Sequence, residues 1–217
     1  MAIKRASDAD VAWIYDSLAA TISPLSDLQF NTPFELLVAV VLSAQATDKS
    51  VNLATSKLYP VANTPASIAA LGEEGLTPYI RTIGLFRTKA KNVVALCCLL
   101  IERHAGEVPS TREELEALPG VGRKTASVVL NVAFGQPTIA VDTHVHRVSN
   151  RLGICRSTTP EATEQALLKR TPTQHLLHAH HYLILHGRYT CTARAPQCGT
   201  CVISLRCPSR APEQDQS

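Results

Sequence analysis

The residues with the clearest capacity for chemistry stand where a short glycine turn leads into a predicted helix. The stretch Leu118–Asp142 reads LPGVGRKTASVVLNVAFGQPTIAVD. Its turn, Gly120-Val121-Gly122, exposes consecutive backbone N–H groups at a helix start, an arrangement that binds anions such as the phosphates of DNA. A plain corner between two helices explains the same glycines. The turn alone leaves both interpretations open.

Lys124 lies with Arg123 in the first turn of that helix. The helix macrodipole disfavours a cation there by roughly 0.3–1 kcal/mol. The same field favours the neutral amine that a lysine nucleophile requires. A simple phosphate contact accounts for the lysine equally well. The position therefore predicts either a catalytic lysine or a DNA-phosphate contact.

The second group of reactive side chains is the run Cys191-x6-Cys198-x2-Cys201-x5-Cys207. Four thiolates so close in sequence can converge on one centre, either zinc or an iron–sulfur cluster. Zinc knuckles use two close pairs, whereas only one pair here is separated by two residues. The wide gaps favour a cluster with four separated corners.

The other cysteines and the histidines are predicted to be structural. Cys97, Cys98 and Cys155 have apolar or helical neighbours, so we expect small buried side chains. The odd total of seven cysteines argues against a disulfide framework. Histidines recur near the C-terminus without an acidic partner or a metalloprotease pattern, which favours core or surface roles. They are His175, His178, His180, His181 and His186.

Hydrophobic periodicity predicts an almost entirely helical chain, with no repeat and no period-two alternation. The helices around the turn are Glu113–Leu118, capped by Thr111, and Arg123–Phe134. Thr32 and Pro33 begin a continuous apolar helix that we predict to be central and buried. The other predicted helices are Ala9–Ile22, Lys49–Tyr59, a short one from Thr64–Pro65, Thr77–Ile83, Lys89–His104, one from an Asp142 or Thr143 cap to Leu152, Pro160–Arg170 and Thr173–Leu185.

Composition bounds the protein class. The 217 residues suffice for one large domain or two small ones, and 45% hydrophobic with only 5% aromatic residues predicts an aliphatic core. No apolar run approaches the roughly 20 residues of a membrane span. The N-terminus has no signal-peptide pattern, so we expect a cytoplasmic protein. A net charge of +3 is too small to indicate nucleic-acid binding by itself.

Several stretches together resemble one family. LPGVGRKTA, then VDTHVHRVSNRLG, then HHYLILHGRYTC with the 6-2-5 cysteine spacing resemble endonuclease III, the helix-hairpin-helix DNA glycosylase family with a [4Fe-4S] cluster. SAQATD at 43–48 and IGLFRTKA at 83–90 fit the same family. The resemblance covers nearly the whole chain in the expected order. The cysteine spacing combined with the lysine-bearing turn makes it specific.

The resemblance implies an all-α, two-lobed helix-hairpin-helix DNA glycosylase fold. A six-helix barrel lobe is expected at 26–136, and an iron–sulfur cluster lobe is expected to combine 1–25 with 137–217. The active site is expected in the cleft between them. The family further implies a monomer that binds damaged double-stranded DNA and no membrane, in a bacterial cytoplasm beside the nucleoid.

The same resemblance implies a bifunctional DNA N-glycosylase and AP lyase that removes oxidised pyrimidines. It assigns the catalytic lysine to Lys124 and the catalytic aspartate to Asp142, although the local sequence predicts only a helix cap at Asp142. The four C-terminal cysteines would ligate the [4Fe-4S] cluster. Adenine mismatch glycosylases without lyase activity, a non-catalytic DNA-binding iron–sulfur protein and a zinc-bound structural module remain the alternatives.

The resemblance also implies DNA contacts. Gln45 would fill the gap left by a flipped nucleotide, and Leu85 would wedge between bases. Gly120, Val121, Gly122 and Arg123 would hold phosphate. Two departures from the family pattern bear on substrate preference: His146 stands where many relatives have an aromatic residue, and Tyr182 where many have tryptophan.

Overall fold

The computed structural model describes residues 4–210, and every regular element in that range is helical. The predicted all-α class is confirmed for these residues. The α-helices are α1 (Asp8–Ala19), α2 (Pro33–Ser43), α3 (Asp48–Leu58), α4 (Pro65–Ile80), α5 (Phe86–His104), α6 (Arg112–Glu116), α7 (Arg123–Phe134), α8 (Thr143–Arg151), α9 (Pro160–Arg170) and α10 (Ala179–Tyr189). Single 3-10 turns lie at Thr173–His175, Cys198–Thr200 and Ser204–Arg206.

The described residues form two compact units. The first, Ser26–Gln136, contains α2 to α7 and is called the hairpin unit below. The second combines the described residues of Met1–Leu25 and Pro137–Ser217 and is called the terminal unit. Each unit has its own aliphatic core.

Helix α2 is the centre of the hairpin unit. All residues from Phe34 to Leu42 are buried, and α2 contacts α3, α5 and α7. The predicted central buried helix is therefore confirmed. Its start follows the expected rule, because the Thr32 hydroxyl accepts the backbone N–H of Glu35 and Pro33 occupies the first helical position.

The terminal unit is built on the close crossing of α8 and α10. A Cβ atom at Gly187 of α10 would come within 3.0 Å of His144 and of Val148, both on α8. A side chain at this position would crowd α8, so glycine favours the close crossing. Helix α1 completes the core, with Tyr15 buried and its hydroxyl accepting a hydrogen bond from Thr171 at 3.0 Å.

Short polar side chains cap most of the helix starts in residues 4–210. Each cap accepts a backbone N–H in the first turn, an interaction that contributes about 1 kcal/mol. The caps are Ser7, Thr32, Thr47, Thr64, Thr111, Asp142 and Thr159. Helices α5, α7 and α10 begin without a side-chain cap.

Two predicted helix boundaries in the hairpin unit are wrong. Helix α5 begins at Phe86 rather than Lys89, because Leu85 adopts a left-handed conformation (φ 59°) that turns the chain directly into the helix. The two helices expected after Thr64 are one element, α4, interrupted at Gly72, where φ is 64° and ψ is −177°. Glycine is the residue that tolerates such a break.

Two further predictions are wrong. The expected helix Thr173–Leu185 is a single 3-10 turn followed by α10, which begins at Ala179. Cys97 and Cys155 are buried as predicted, but Cys98 is exposed. Successive helix residues point about 100° apart, so only one of two adjacent cysteines on α5 faces the core. Burial raises the pKa of the Cys97 thiol to about 12.

Among the described residues, no helix combines the length and apolar character needed to cross a membrane.

Replacing Gly153 with alanine tests the packing of the N-terminal segment in the terminal unit. Gly153 has φ +66°, and a Cβ atom there would clash with the carbonyl oxygen of Lys4 and lie 2.9 Å from the nitrogen of Ala6. Gly135 has nearly the same φ, +64°, but open space around it. Gly135→Ala should cost about 1–2 kcal/mol through backbone strain. Gly153→Ala should cost about 1–3 kcal/mol more through overpacking, measured by urea unfolding. Equal costs would refute the predicted clash.

Candidate functional site

The turn that connects α6 to α7 is held against the core of the hairpin unit. Leu118 and Val121 are buried at its two sides. Gly120 has φ +80°, and a Cβ atom there would lie 3.1 Å from Asn92 of α5 and 3.3 Å from Val41 of α2. The turn therefore requires glycine both for its backbone conformation and for its close approach to two helices.

Gly122, unlike Gly120, is not required by its backbone conformation or by close packing. Its φ of −98° is open to any residue, and a Cβ atom there would meet nothing within 4 Å. No side chain caps α7, and Ala126 donates the first helical hydrogen bond, to Gly122 O at 2.9 Å. The N–H groups of the first turn therefore have no capping side chain, the arrangement expected of an anion-binding helix start.

Lys124 is the second residue of α7 and is exposed. Arg123 precedes it and is also exposed. The first turn of α7 has no acidic residue. An accessible amine therefore stands directly beside the uncapped helix start.

Gln45 and Leu85 lie in neighbouring loops of the hairpin unit and share an unusual backbone conformation. Their φ values are 54° and 59°, and both residues are exposed. A Cβ atom on Gly84 would be 3.8 Å from the carbonyl oxygen of Gln45, so the two loops touch. Non-glycine residues in this region store about 1–3 kcal/mol of strain, which often accompanies function. Ala105, the other such residue described, simply ends α5.

Asp142 is the N-cap of α8 in the terminal unit. Its Oδ1 accepts the backbone N–H of Val145 at 2.8 Å, and its carbonyl accepts the N–H of His146 at 2.9 Å. The carboxylate is partly exposed. Lys124 and Asp142 thus belong to different units, and the local fold holds each of them at the start of a helix.

The four C-terminal thiols converge on one pocket. Cys191, Cys198, Cys201 and Cys207 line it together with apolar residues such as Ile203, which is fully buried. Burial and, second to it, the neighbouring thiols raise the pKa of Cys201 and Cys207. Metal binding would displace these protons.

The arrangement of the donor side chains around this pocket bears on the kind of centre that it can hold. Within residues 4–210, no three histidine, cysteine or acidic side chains are close enough to hold a single metal ion. The four thiols nevertheless line one common pocket. Four thiols are a donor set that suits either zinc or an iron–sulfur cluster.

Arginine side chains fasten the cysteine loop to α8. Arg151 donates to the carbonyl oxygens of Thr192 and Ala193 at 2.6 and 2.8 Å, and its Nη1 lies 3.5 Å from Cys191 Sγ. Arg147 donates to the carbonyl of Cys191 at 3.0 Å. Sequence patterns predicted neither role, because the acceptors are backbone groups some 40 residues away.

The histidines contact neighbours within the terminal unit, and His175 has an acidic partner that the sequence pattern did not indicate. His175 pairs with Asp16 at 2.7 Å, and His180 Nδ1 bonds the carbonyl of Ala140 at 2.7 Å. His186 is buried, and its Nε2 lies 3.9 Å from Cys201 Sγ. Burial lowers the pKa of His186 to about 4.

The two residues that depart from the family pattern, His146 and Tyr182, both contact neighbours within the terminal unit. His146 Nδ1 is 2.7 Å from the hydroxyl of Thr163. Tyr182 is buried, with its ring edge-on to His175 and His178. Both side chains are therefore held by neighbours within their own unit.

Comparison with known proteins identifies the family to which these site residues belong. The family described as the HhH-GPD superfamily base excision DNA repair protein matches residues 38–173. Endonuclease III of Escherichia coli K12 is 60% identical over 184 residues, which are 85% of this chain and 87% of that protein. The chain belongs to the endonuclease III family. Endonuclease III of Treponema pallidum is 56% identical over 87% of this chain and 90% of its own length.

A solved structure agrees as well. A trapped endonuclease III–DNA covalent intermediate matches with a TM-score of 0.88 and 46% identity, over 94% of this chain and 96% of that one. Membership of the endonuclease III family makes the chain a DNA glycosylase and lyase of base excision repair.

Lys89, which follows the Leu85 loop, is buried, and the sequence did not predict this burial. It is 5% exposed, and its Nζ has no hydrogen-bond partner. The signal that singled out Lys124, a lysine in the first turn of a helix, applies equally to Lys89. Only its burial escapes the sequence pattern, because packing decides which face of α5 meets the core.

Proposed function

We propose that the chain is a monomeric, bifunctional DNA N-glycosylase and AP lyase that removes oxidised pyrimidines from duplex DNA, with Lys124 as its nucleophile. The observation that carries this proposal is the exposed Lys124 amine at the uncapped start of α7. The endonuclease III solved as a covalent intermediate with DNA, at 46% identity, supports a covalent reaction.

DNA contacts come first in the proposed reaction. The N–H groups at Gly120–Gly122 and the side chain of Arg123 hold a backbone phosphate. The damaged nucleotide leaves the base stack at a cost of a few kcal/mol. Gln45 then fills the vacated space and Leu85 wedges between neighbouring bases. The strain and exposure of these two adjacent residues support that role, because a wedge must protrude and be held rigidly.

The glycosylase step is a displacement at the sugar. The free amine of Lys124 forms a bond to C1′, and the bond between C1′ and the base breaks, with the electron pair leaving on the base. Asp142 accepts the proton that the amine loses, or stabilises the positive charge that develops on the sugar. Opening of the sugar ring then gives a Schiff base between Lys124 and C1′.

The lyase step uses the electron-withdrawing effect of that Schiff base. It acidifies C2′, so a proton can leave there while the C3′–O bond breaks and the 3′ phosphate departs. Hydrolysis of the imine finally frees Lys124. No redox step is required, and the strand is cut 3′ to the lesion.

The proposed cofactor is a [4Fe-4S] cluster ligated by Cys191, Cys198, Cys201 and Cys207. When bound, it would fix the shape of the cysteine loop and would take no part in bond breaking. Arg194 and Arg206 on that loop would then face DNA phosphate. Arg206 already stacks on Trp13 at 4.9 Å, which ties the loop to α1. We place the enzyme in a bacterial cytoplasm beside the nucleoid, where its DNA substrate lies.

Trapping with borohydride tests the nucleophile. Wild-type protein and duplexes carrying a panel of oxidised pyrimidines should give a covalent adduct, since borohydride reduces the Schiff base. Lys124→Ala should abolish the adduct and slow strand cleavage by a factor on the order of 1,000 or more, whereas Lys57→Ala, an exposed lysine on α3, should leave both unchanged. Base excision without an adduct would indicate a glycosylase without lyase activity, and binding without excision a non-catalytic protein.

Replacing Asp142 separates capping from catalysis. Asparagine caps helices as well as aspartate does, so Asp142→Asn should leave the melting temperature unchanged. Loss of the charge should lower single-turnover excision roughly 10²- to 10⁴-fold. Asp142→Ala should lose the cap as well and unfold about 1 kcal/mol more easily. An asparagine variant with wild-type excision would remove Asp142 from the mechanism.

Metal analysis tests the proposed cofactor. Protein purified without oxygen should be brown and contain about four iron atoms per chain. Cys198→Ser should lose the visible absorbance, whereas Cys98→Ser should retain it, because Cys98 is exposed on α5 in the other unit. A colourless wild-type protein loaded with zinc would contradict the iron–sulfur proposal.

A further inference from the structure

The start of α5 shares its features with the start of α7. Four of the six helices in the hairpin unit begin with a threonine cap, whereas α5 and α7 begin without a side-chain cap. Neither has an acidic residue in its first turn. In α5 that turn instead carries Arg87 and Lys89, although cations are disfavoured at this end of a helix. An anion bound at the start of α5 would be attracted both to the helix end and to these cations and would offset that cost.

Lys89 is the stronger observation. The residue is 5% exposed, and its Nζ is shielded from solvent and has no hydrogen-bond partner. Burial lowers the pKa of this amine. The buried carboxylate of the same unit, Glu35, is not available, because it accepts from Asn31 and Asn63 instead. A buried ammonium without a partner is strongly unfavourable, and methionine would fill the space at lower cost.

The position of Lys89 lies between the parts of the hairpin unit assigned to DNA. One turn before it is Leu85, whose neighbour Gly84 touches the Gln45 loop. Three residues after it, on the same side of α5, Asn92 touches Gly120 of the turn. Lys89 is therefore flanked along α5 by the Gln45–Leu85 pair and by the phosphate-binding turn.

We propose that the start of α5 and Lys89 form a second phosphate-binding site, which takes one backbone phosphate of the bound duplex. The N–H groups of Phe86, Arg87 and Thr88 and the Lys89 ammonium supply its donors. Leu85 directly precedes this turn as the N-cap of α5. Its insertion into the base stack would uncover Lys89 and give the ammonium a phosphate partner. The inference rests on the proposed function, because it assumes that Leu85 enters the duplex.

Salt dependence of DNA binding tests the site. The probe is a fluorescent duplex with a tetrahydrofuran abasic analogue, whose affinity is measured by anisotropy between about 50 and 200 mM potassium chloride. Lys89→Met should weaken binding roughly tenfold and reduce the slope of log K against log salt by about 1. Lys91→Met, an exposed lysine on the same helix, is the matched control and should leave the slope nearly unchanged. An unchanged slope and affinity for Lys89→Met would overturn the proposal.

Stability gives an independent readout. If Lys89 has no partner in the free protein, Lys89→Met should raise the melting temperature by about 3 °C while it weakens DNA binding. A structural lysine would behave in the opposite way, so a lower melting temperature would overturn the proposal. Lys89→Arg should retain the salt slope of the wild-type protein, because the cation is kept.

A scan of the DNA backbone locates the phosphate without any protein variant. Single methylphosphonate substitutions remove one negative charge at a time. In the wild-type complex, one position separate from the contact of the turn should lower affinity roughly tenfold. The same substitution should have no further effect on Lys89→Met. Additive losses at every position would overturn the site.

The test of the Lys89 phosphate site can fail or succeed independently of the test of the proposed lyase activity. Lys89→Met should still form the borohydride adduct at saturating protein, because Lys124 is intact. If wild-type protein forms no adduct, the lyase proposal fails while the salt and backbone experiments still decide the phosphate site.

Discussion

Burial of α2 on all sides is the constraint on which the hairpin unit depends. Its continuous apolar surface must be covered by α3, α5 and α7, each fully buried aliphatic side chain contributing about 1.5–3 kcal/mol. The last turn of α2 then brings Val41 against Gly120 and leads directly into the strained Gln45. The same packing that forms the core therefore positions two of the segments assigned to DNA.

The helices of the hairpin unit fall into two groups, those with a threonine cap and those without a side-chain cap. Where a threonine caps a helix, the first-turn N–H groups are partly satisfied within the protein and the helix gains stability. Where no side chain does so, at α5 and α7, those groups are the donors of the two proposed phosphate sites, and lysines occupy a turn in which they are locally unfavourable. Stability given up at two helix starts is consistent with a surface that binds a polyanion.

In the terminal unit, the cysteine loop has little regular structure and must be ordered by other contacts. Two 3-10 turns and the buried Ile203 provide part of its order. Arg151 and Arg147 provide more, since their guanidinium groups bind carbonyl oxygens of the loop at 2.6–3.0 Å. A cluster held by four thiols would complete this order. The position of Asp142 is fixed separately, by its role as the cap of α8.

The sequence by itself determined the helical class, the buried central helix, most of the caps and the family, because each depends on local patterns: periodicity, a threonine or aspartate before an apolar run, and fixed spacing of cysteines. It could not determine the break of α4 at Gly72 or the true start of α5, since these depend on the backbone conformations that Gly72 and Leu85 adopt. Nor could it determine the exposure of Cys98, which depends on which face of α5 meets the core. Only the tertiary structure revealed that Gly120 fits between Asn92 and Val41, that the Gln45 and Leu85 loops touch, and that Lys89 is buried without a partner. These facts arise from contacts between residues far apart in sequence, and no local pattern records them.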